Sequence, residues 1–170
     1  LSEAIRQAGV GEYVRRAFRA AREANPGATL LINDYRTDPE YQTRVLAELA
    51  DDKRQPLYDA IGIQSHMHGG YRGAAWAWET CERFARFGKP LHWTETTITS
   101  GRERNDIRWL GPPHDDWPNT PDGEARQARQ VEEFYTILFS HPAVEAVTWW
   151  DFSDDHAWLG APAGLVECAQ

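Results

Sequence analysis

The chain has 170 residues and carries 18 Lys and Arg against 26 Asp and Glu, which gives a formal net charge of -8 and a pI near 5.2. This acidic balance argues against nucleic acid or an anionic membrane surface as a partner, because both require a basic face on the protein. The sequence holds no apolar run of the length that spans a bilayer, and its size suits a single domain with a core of its own.

The first third of the sequence predicts a helix, a strand and a second helix. Residues 3–24 place apolar side chains at helical spacing with Arg between them, and an Asn-Pro-Gly sequence then ends the helix. Residues 29–34 form a nearly continuous apolar run that predicts a buried strand. Residues 38–52 predict the second helix, with a proline well placed in its first turn.

The rest of the sequence repeats the pattern of strand followed by helix. Predicted strands cover residues 61–66, 91–96 and 146–151, and predicted helices cover residues 71–87 and 123–140. A long polar segment, residues 100–122, lies between the third predicted strand and the last helix and is rich in Pro, Gly and Asp. Alternating strands and helices imply parallel strands joined by right-handed crossovers.

Each predicted strand begins with apolar residues and ends with polar ones. The polar ends carry Asn33 and Asp34, Gln64 and His66, Glu95, and Asp151. Parallel strands bring their carboxyl ends to one edge of the sheet, which is where α/β folds build their chemistry. We therefore expect these side chains to lie close together.

Two α/β architectures fit this order of elements: a small open sheet of four strands, or half of an eight-stranded βα barrel. A complete barrel needs roughly 200 residues or more, and this sequence starts in a helix with no strand before it. No glycine-rich phosphate loop follows any strand, which weakens the open nucleotide-binding sheet. The two cysteines, Cys81 and Cys168, allow at most one disulfide and form no C-x-x-C metal motif.

Glu95 is the strongest candidate for a chemical role. It stands at the polar end of an apolar strand, where a carboxylate can attack an anomeric carbon or act as a base; the alternative is a structural glutamate paired with Arg or Lys. His66 ends the preceding strand on the same face as Gln64, so it could orient the carboxylate or hold a substrate hydroxyl. The alternative for His66 is a buried core histidine, and His68 is expected to be a polar loop residue.

Trp150 and Trp158 flank an acidic stretch, residues 151–155. Aromatic faces beside carboxylates suit stacking on a pyranose, whose C–H face is apolar and whose hydroxyls need hydrogen-bond acceptors. The alternative is a packed pair of tryptophans that closes the core.

Metal binding is the least favoured interpretation of the histidines. The spacing of His66, His68 and His92 matches no zinc signature, and no other motif implies a cofactor. A metal-dependent hydrolase on a similar sheet is therefore a third and weaker hypothesis.

Together these residues resemble glycoside hydrolase family 10, the endo-β-1,4-xylanases. Four segments carry the resemblance in the order and spacing of that family, and each is similar to the signature at one of its last four barrel strands. They are Leu31-Ile32-Asn33-Asp34-Tyr35, Gly62-Ile63-Gln64-Ser65-His66-Met67, Trp93-Thr94-Glu95, and Trp149-Trp150 through Asp154 to Trp158. The match covers nearly the whole chain.

The resemblance implies the fold and the chemistry of the family. The fold is an α/β fold, a partial TIM (β/α)8 barrel with roughly strands five to eight, and residues 1–170 form the C-terminal half of the catalytic domain. The activity is hydrolysis of internal β-1,4-xylosidic bonds in xylan, or in a related β-1,4-glycan, by a retaining double displacement without cofactor or metal. Because polysaccharides are too large to enter cells, a secreted or cell-surface location is expected.

The resemblance also implies roles for single residues. Glu95 is expected to be the catalytic nucleophile, and His66 to orient both the nucleophile and the substrate. Contacts with the substrate are expected from Gln64, Asn33, Tyr35, Trp150, Trp158 and Asp154.

One departure from the family pattern concerns the second carboxylate. The acid/base Glu of the family follows an Asn at the end of the fourth strand, and no Asn-Glu pair occurs in this sequence. We expect this Glu upstream of Leu1, and residues 1–170 alone to be inactive or nearly so. Half a barrel also exposes strand edges at residues 29–34 and 146–151, which predicts a marginal monomer or an associated species.

The other departure concerns the partner of the histidine. Thr97 stands where the family has an acidic residue, which predicts a weaker network at His66. A non-catalytic carbohydrate-binding relative that kept the cleft aromatics is therefore the second hypothesis. The segment 100–122, with Trp109 and Trp117, is expected to be an elaboration that reshapes the cleft.

Overall fold

The computed structural model describes residues 2–166, which fold around one parallel β-sheet of four strands. The strands lie side by side in chain order, and every neighbouring pair is parallel. Their bounds are Leu31–Asp34 for β1, Ala60–Met67 for β2, Leu91–Ile98 for β3 and Val144–Trp149 for β4. The parallel α/β sheet predicted from the sequence is confirmed.

The N-terminal helical region is divided into α1, Ser2–Ala8, and α2, Val10–Ala24. The prediction of one continuous helix is wrong at Gly9, whose φ of 78° and ψ of 150° lie outside helical geometry. Glycine adopts this conformation without the steric cost that a Cβ would add. Val14 and Phe18 of α2 pack against the main hydrophobic core, so α2 is attached to the rest of the fold.

The second predicted helix, residues 38–52, is much shorter in the structure. α3 is Pro39–Tyr41, with Asp38 as its N-cap, so the expected proline in the first turn is confirmed. A π-helical turn, Gln42–Leu46, follows directly. The prediction fails beyond that turn because the chain folds back on itself: Ala50 and Pro56 form an isolated antiparallel bridge, and the amide of Asp51 donates to the carbonyl of Gln55. The carboxylate of Asp51 stabilises this reversal by accepting the amides of Lys53 and Gln55.

Two longer helices, α4 (Gly73–Ala85) and α5 (Pro121–Ser140), pack against each other and against β3. They match the predicted helices apart from about two residues at their ends. The core of the fold contains Tyr58, Ile61, Ile63, Cys81, Phe84, Leu91, Trp93, Phe134 and Leu138 among its fully buried side chains. The sheet is therefore covered by helices at β3, and its carboxyl edge is left free for a site.

A short 3-10 helix, Trp158–Gly160, follows β4. No helix within residues 2–166 is both long enough and apolar enough to cross a membrane. Cys81 lies in α4 and is buried. Cys168 lies outside the described residues, so a disulfide between the two stays untested.

Candidate active site

The polar ends of β1, β2 and β3 meet at the carboxyl edge of the sheet, as predicted. Oε1 of Glu95 accepts a 3.3 Å hydrogen bond from Nδ2 of Asn33, and Oε2 of Glu95 lies 2.9 Å from Nε2 of His66. The Glu95 side chain is only 15% exposed. No ion pair within residues 2–166 joins Glu95 to Arg or Lys, so the alternative of a glutamate paired with a basic side chain has no support there.

A β-bulge in β3 determines the direction in which Glu95 points. Ile63 of β2 pairs with Trp93, but the next residue, Gln64, pairs with Glu95, so Thr94 is an extra residue in β3. In a regular strand, residues two apart point to the same face, which would place Trp93 beside Glu95. With the bulge, Trp93 is fully buried in the core, while Glu95 faces Asn33 and His66.

Asn33 is oriented by its neighbours on β2 and β3. The hydroxyl of Thr94 donates a 2.6 Å hydrogen bond to Oδ1 of Asn33, which leaves the amide Nδ2 to face Glu95. Gly62 of β2 leaves the space for this arrangement, because a Cβ at that position would lie 2.7 Å from Oδ1 of Asn33. Residues of β1 and β2 thus both contact the carboxylate of Glu95 on β3.

His66 bridges Glu95 and Thr97. Its Nδ1 lies 3.1 Å from Oγ1 of Thr97, while its Nε2 faces Glu95. A carboxylate only accepts, so Nε2 donates to Glu95 and the Thr97 hydroxyl donates to Nδ1. Burial lowers the pKa of His66, opposed by the hydrogen bond to Glu95, and this favours the neutral imidazole. The network that the sequence predicts to be weakened is complete in hydrogen bonds, with a hydroxyl in place of a second carboxylate.

A cleft of about 530 Å³ opens beside His66. It is lined by Tyr35, Gln64, Ser65, His66, Arg72, Trp109, Leu110 and Trp158. Tyr35, Gln64 and Trp158, which the sequence predicts as substrate-binding residues, therefore lie on its wall. A largely aromatic wall with a few polar groups is typical of small-molecule and sugar sites.

The two predicted cleft tryptophans surround the imidazole of His66. The ring centre of Trp158 lies 4.7 Å and that of Trp150 lies 5.6 Å from the imidazole centre, both in edge-on contact. Trp150 is 47% exposed, and neither ring belongs to the main core. The tryptophan that packs there is Trp149, whose Nε1 donates to the carbonyl of Ala163. The alternative of a packed pair closing the main core therefore does not describe Trp150 and Trp158.

The acidic residues after β4 hold their own segment. Oδ1 of Asp154 accepts the amide of Gly164 at 2.6 Å, and Oδ1 of Asp151 accepts the amide of Trp158 at 3.2 Å. Burial raises the pKa of Asp151. The hydrogen bond between Gly164 and Asp154 helps to position the segment that carries Trp158. A contact between Asp154 and substrate stays a prediction.

His68 is buried, although the sequence predicts a polar loop residue at this position. It lies in the turn after β2, as expected, but its ring is fully buried, and neither ring nitrogen has a hydrogen-bond partner within residues 2–166. It packs edge-on against Trp158 and Trp109, at ring distances of 5.3 and 5.4 Å. Burial lowers its pKa to about 3, so the ring is neutral. Its two-residue spacing from His66 is a sequence signal that could have placed both rings on one face.

The histidines do not converge on a metal site. In the part of the chain that the structure describes, no group of three or more His, Cys, Asp and Glu side chains is arranged to hold a metal ion. His92 lies near the start of β3, 3.8 Å from the carboxylate of Glu145, and away from His66 and His68 at the other end of the sheet. The metal-dependent hydrolase hypothesis therefore gains no support.

Comparison with known sequences identifies the family. The model of glycosyl hydrolase family 10 matches residues 2–166. An endo-1,4-beta-xylanase of Geobacillus stearothermophilus is 30% identical over 152 residues, which cover 87% of this chain and 44% of that protein. Endo-1,4-beta-xylanase A of Caldicellulosiruptor sp. (strain Rt8B.4) is 29% identical over 164 residues, which cover 91% of this chain and 22% of that protein.

Solved structures of xylanases share the fold. A GH10 xylanase of Thermobacillus composti superposes with a TM-score of 0.73 at 25% identity, covering 92% of this chain and 53% of that chain. Xylanase 10B of Thermotoga petrophila RKU-1, in complex with xylobiose, gives a TM-score of 0.69 at 27% identity, covering 92% of this chain and 46% of that one. The chain thus spans about half the length of these solved xylanases and less than half of the curated relatives above.

The fold is that of a βα-barrel glycoside hydrolase, of which this chain supplies four parallel strands. The chain belongs to glycosyl hydrolase family 10, because the family model spans residues 2–166 and the relatives agree with it. The predicted resemblance and the predicted partial barrel are confirmed.

Proposed function

We propose that this chain is the nucleophile-bearing half of a retaining endo-β-1,4-xylanase, with residues 1–170 forming the C-terminal half of the catalytic domain. The observation that carries the proposal is the Glu95 carboxylate, held by Asn33 and His66 beside an aromatic cleft. The relatives named above are xylanases, and they supply xylan as the substrate class.

In the proposed mechanism Glu95 is the nucleophile. One of its oxygens attacks the anomeric carbon, the glycosidic C–O bond breaks, and the leaving oxygen takes a proton from a second carboxylic acid. Water, deprotonated by that second carboxylate, then attacks the anomeric carbon of the glycosyl ester and releases Glu95 with the anomeric configuration retained. Asn33 and His66 donate to the carboxylate, so they fix its orientation and stabilise its charge before attack and after release.

The second carboxylate is proposed to lie in polypeptide that precedes Leu1. Retaining hydrolases hold their two carboxyl groups about 5–5.5 Å apart. Asp151 and Asp154, at the neighbouring strand end, each accept a backbone amide of their own segment, which supports a structural role for both. The chain covers about half of the solved xylanases, which supports a second carboxylate outside these residues.

Binding is proposed to come from the cleft wall and from two residues beside it. Trp158 on the wall and Trp150, which packs against His66, offer aromatic surface to the apolar C–H side of a pyranose. Gln64 and Tyr35 on the wall, and Asn33 beside Glu95, offer hydrogen bonds to its hydroxyls. The proposed partner is a polysaccharide, xylan or a related β-1,4-glycan. Because such a polymer stays outside cells, a secreted or cell-surface location accompanies the proposal.

The test is Glu95→Gln in the full-length protein that contains this chain. Loss of the nucleophile should lower kcat on xylan by at least about a thousandfold, while the wild type releases product with retained anomeric configuration by NMR. Glu145→Gln is the matched control, because its side chain is 65% exposed and lies on β4 away from the cleft. A Glu95→Gln enzyme with the wild-type rate contradicts the proposal. A wild type that binds xylo-oligosaccharides without cleaving them favours the non-catalytic relative.

A further inference from the structure

We propose that Trp109, in the segment between β3 and α5, forms an additional sugar-binding subsite that extends the cleft beyond the ring held at Glu95. The proposal rests on the proposed glycan hydrolysis and adds a determinant of chain-length specificity. The segment, residues 99–120, is here named the β3–α5 segment.

The β3–α5 segment is stabilised by an internal polar cluster. Arg104, only 5% exposed, donates two hydrogen bonds of 2.8 and 2.7 Å to the carboxylate of Asp106 and one of 2.8 Å to Asp116. Its guanidinium lies 5.3 Å from the ring centre of Trp117. Bidentate pairing of a buried guanidinium fixes geometry as well as charge, so the segment has a defined conformation.

The same segment is attached to the chain that carries Trp158. Trp117 forms a second small core with Ala161 and Ala163. The amide of His114 donates to the carbonyl of Leu159 at 2.8 Å, which adds a backbone link beside that core. The position of the segment relative to Trp158 is therefore fixed by packing and by hydrogen bonds.

Trp109 stands at the rim of the cleft on this support. Its side chain is 45% exposed and that of Leu110 is fully exposed, and both line the cleft. The rings of Trp109 and His68 are nearly perpendicular, with their centres 5.4 Å apart, and the ring centre of Trp109 lies 5.7 Å from that of Trp158 with the two planes tilted by 47°. The β3–α5 segment is anchored by the small core around Trp117, which does not include Trp109. The fold of the segment therefore does not depend on a tryptophan at position 109.

The occupant that fits this surface is another pyranose of the same glycan. Trp109 lines the same cleft as Trp158 and His66, and His66 contacts Glu95, so a glycan bound at Glu95 would extend along this wall. The two indoles present adjacent and differently tilted faces, and an indole face suits the apolar C–H side of a sugar ring. Trp109 thus selects for longer chains, while the group at Glu95 acts on the bond that is cleaved.

The experiment measures binding in the full-length protein with Glu95→Gln, which prevents turnover. Xylobiose and xylohexaose are titrated by calorimetry into this protein with Trp109 intact, with Trp109→Ala and with Trp109→Phe. Trp109→Ala should reduce the affinity gain of xylohexaose over xylobiose by about tenfold, the usual size of one lost stacking contact. Trp109→Phe keeps an aromatic face and should retain most of the gain.

Trp78→Ala is the matched control, since Trp78 is 39% exposed on α4 and packs against His141. It should leave both affinities unchanged. An unchanged gain in Trp109→Ala overturns the subsite, and so does an equal loss for both sugars, which would mean that Trp109 only supports Trp158. If the protein with Trp109 intact binds neither sugar, the proposed substrate class is overturned together with the subsite.

Discussion

Nε2 of His66 lies 2.9 Å from Oε2 of Glu95, and this contact joins the ends of β2 and β3 at the centre of the site. It depends on the bulge at Thr94, which turns Glu95 toward the imidazole. The other imidazole nitrogen is served by the hydroxyl of Thr97. The carboxylate of Glu95 therefore accepts a hydrogen bond from a neutral imidazole. A protonated His66 would add a positive charge beside it.

Thr97→Asp should convert this neutral network into a charged one. A carboxylate beside Nδ1 favours the imidazolium, so the pKa of His66 should rise by about one unit or more. NMR titration of the His66 ring in the full-length protein measures this change. Thr97→Ser keeps the hydroxyl and should leave the titration as in the wild type. An unchanged titration in Thr97→Asp would mean that the Nδ1 contact is absent.

Gly62→Ala should disturb the site through Asn33. The new Cβ would lie 2.6 Å from Cδ2 of Leu31 and 2.7 Å from Oδ1 of Asn33, both too close for ordinary packing. Overpacking of this kind costs about 1–3 kcal/mol, and the displaced Asn33 should lower kcat as well. Denaturant unfolding and initial rates on xylan measure the two effects. Gly27→Ala is the control, since its Cβ would meet its nearest atom at 3.7 Å.

His68 should make stability fall in acid. Burial lowers its pKa from 6.5 to about 3, whereas the unfolded chain binds a proton near pH 6.5. The contribution of the neutral His68 ring to the free energy of unfolding is therefore complete above about pH 6.5 and is lost as the pH falls toward about 3. His68→Phe keeps an aromatic ring without the titration, so its free energy of unfolding should fall less between pH 7 and pH 4. Equal pH dependence in both proteins would contradict this.

Residues 1–170 expressed alone should not hydrolyse xylan and should associate in solution. In the described part of the chain, β1 pairs with β2 alone and β4 with β3 alone, so each presents an unpaired edge. Light scattering of the purified chain, with an assay on an aryl xyloside, measures both expectations. Co-expression with the upstream half of the protein should restore a monomer. A monomeric chain with a sharp cooperative unfolding transition, or with robust turnover, would refute the expectation.

The regular elements were largely predictable because their signals are local. The strand positions, the ends of α4 and α5, and the proline at the start of α3 follow from periodicity and capping, which involve residues close in sequence. The two errors are also local in kind. Gly9 interrupts the first helix with a non-helical backbone conformation, and the second predicted helix gives way to a chain reversal at residues 50–56 that the carboxylate of Asp51 stabilises.

The sequence by itself determined the α/β class, the edge of the sheet where polar groups collect, and Glu95 as the strongest candidate for a chemical role. Only the tertiary structure decided how Glu95 is aimed, because the bulge at Thr94 exists only through pairing with β2. It also decided the burial of His68 and the position of Trp109, which depend on a segment folding back onto residues about 50 positions later. Contacts between residues far apart in sequence leave no periodic pattern, so these features become visible only when the chain is folded.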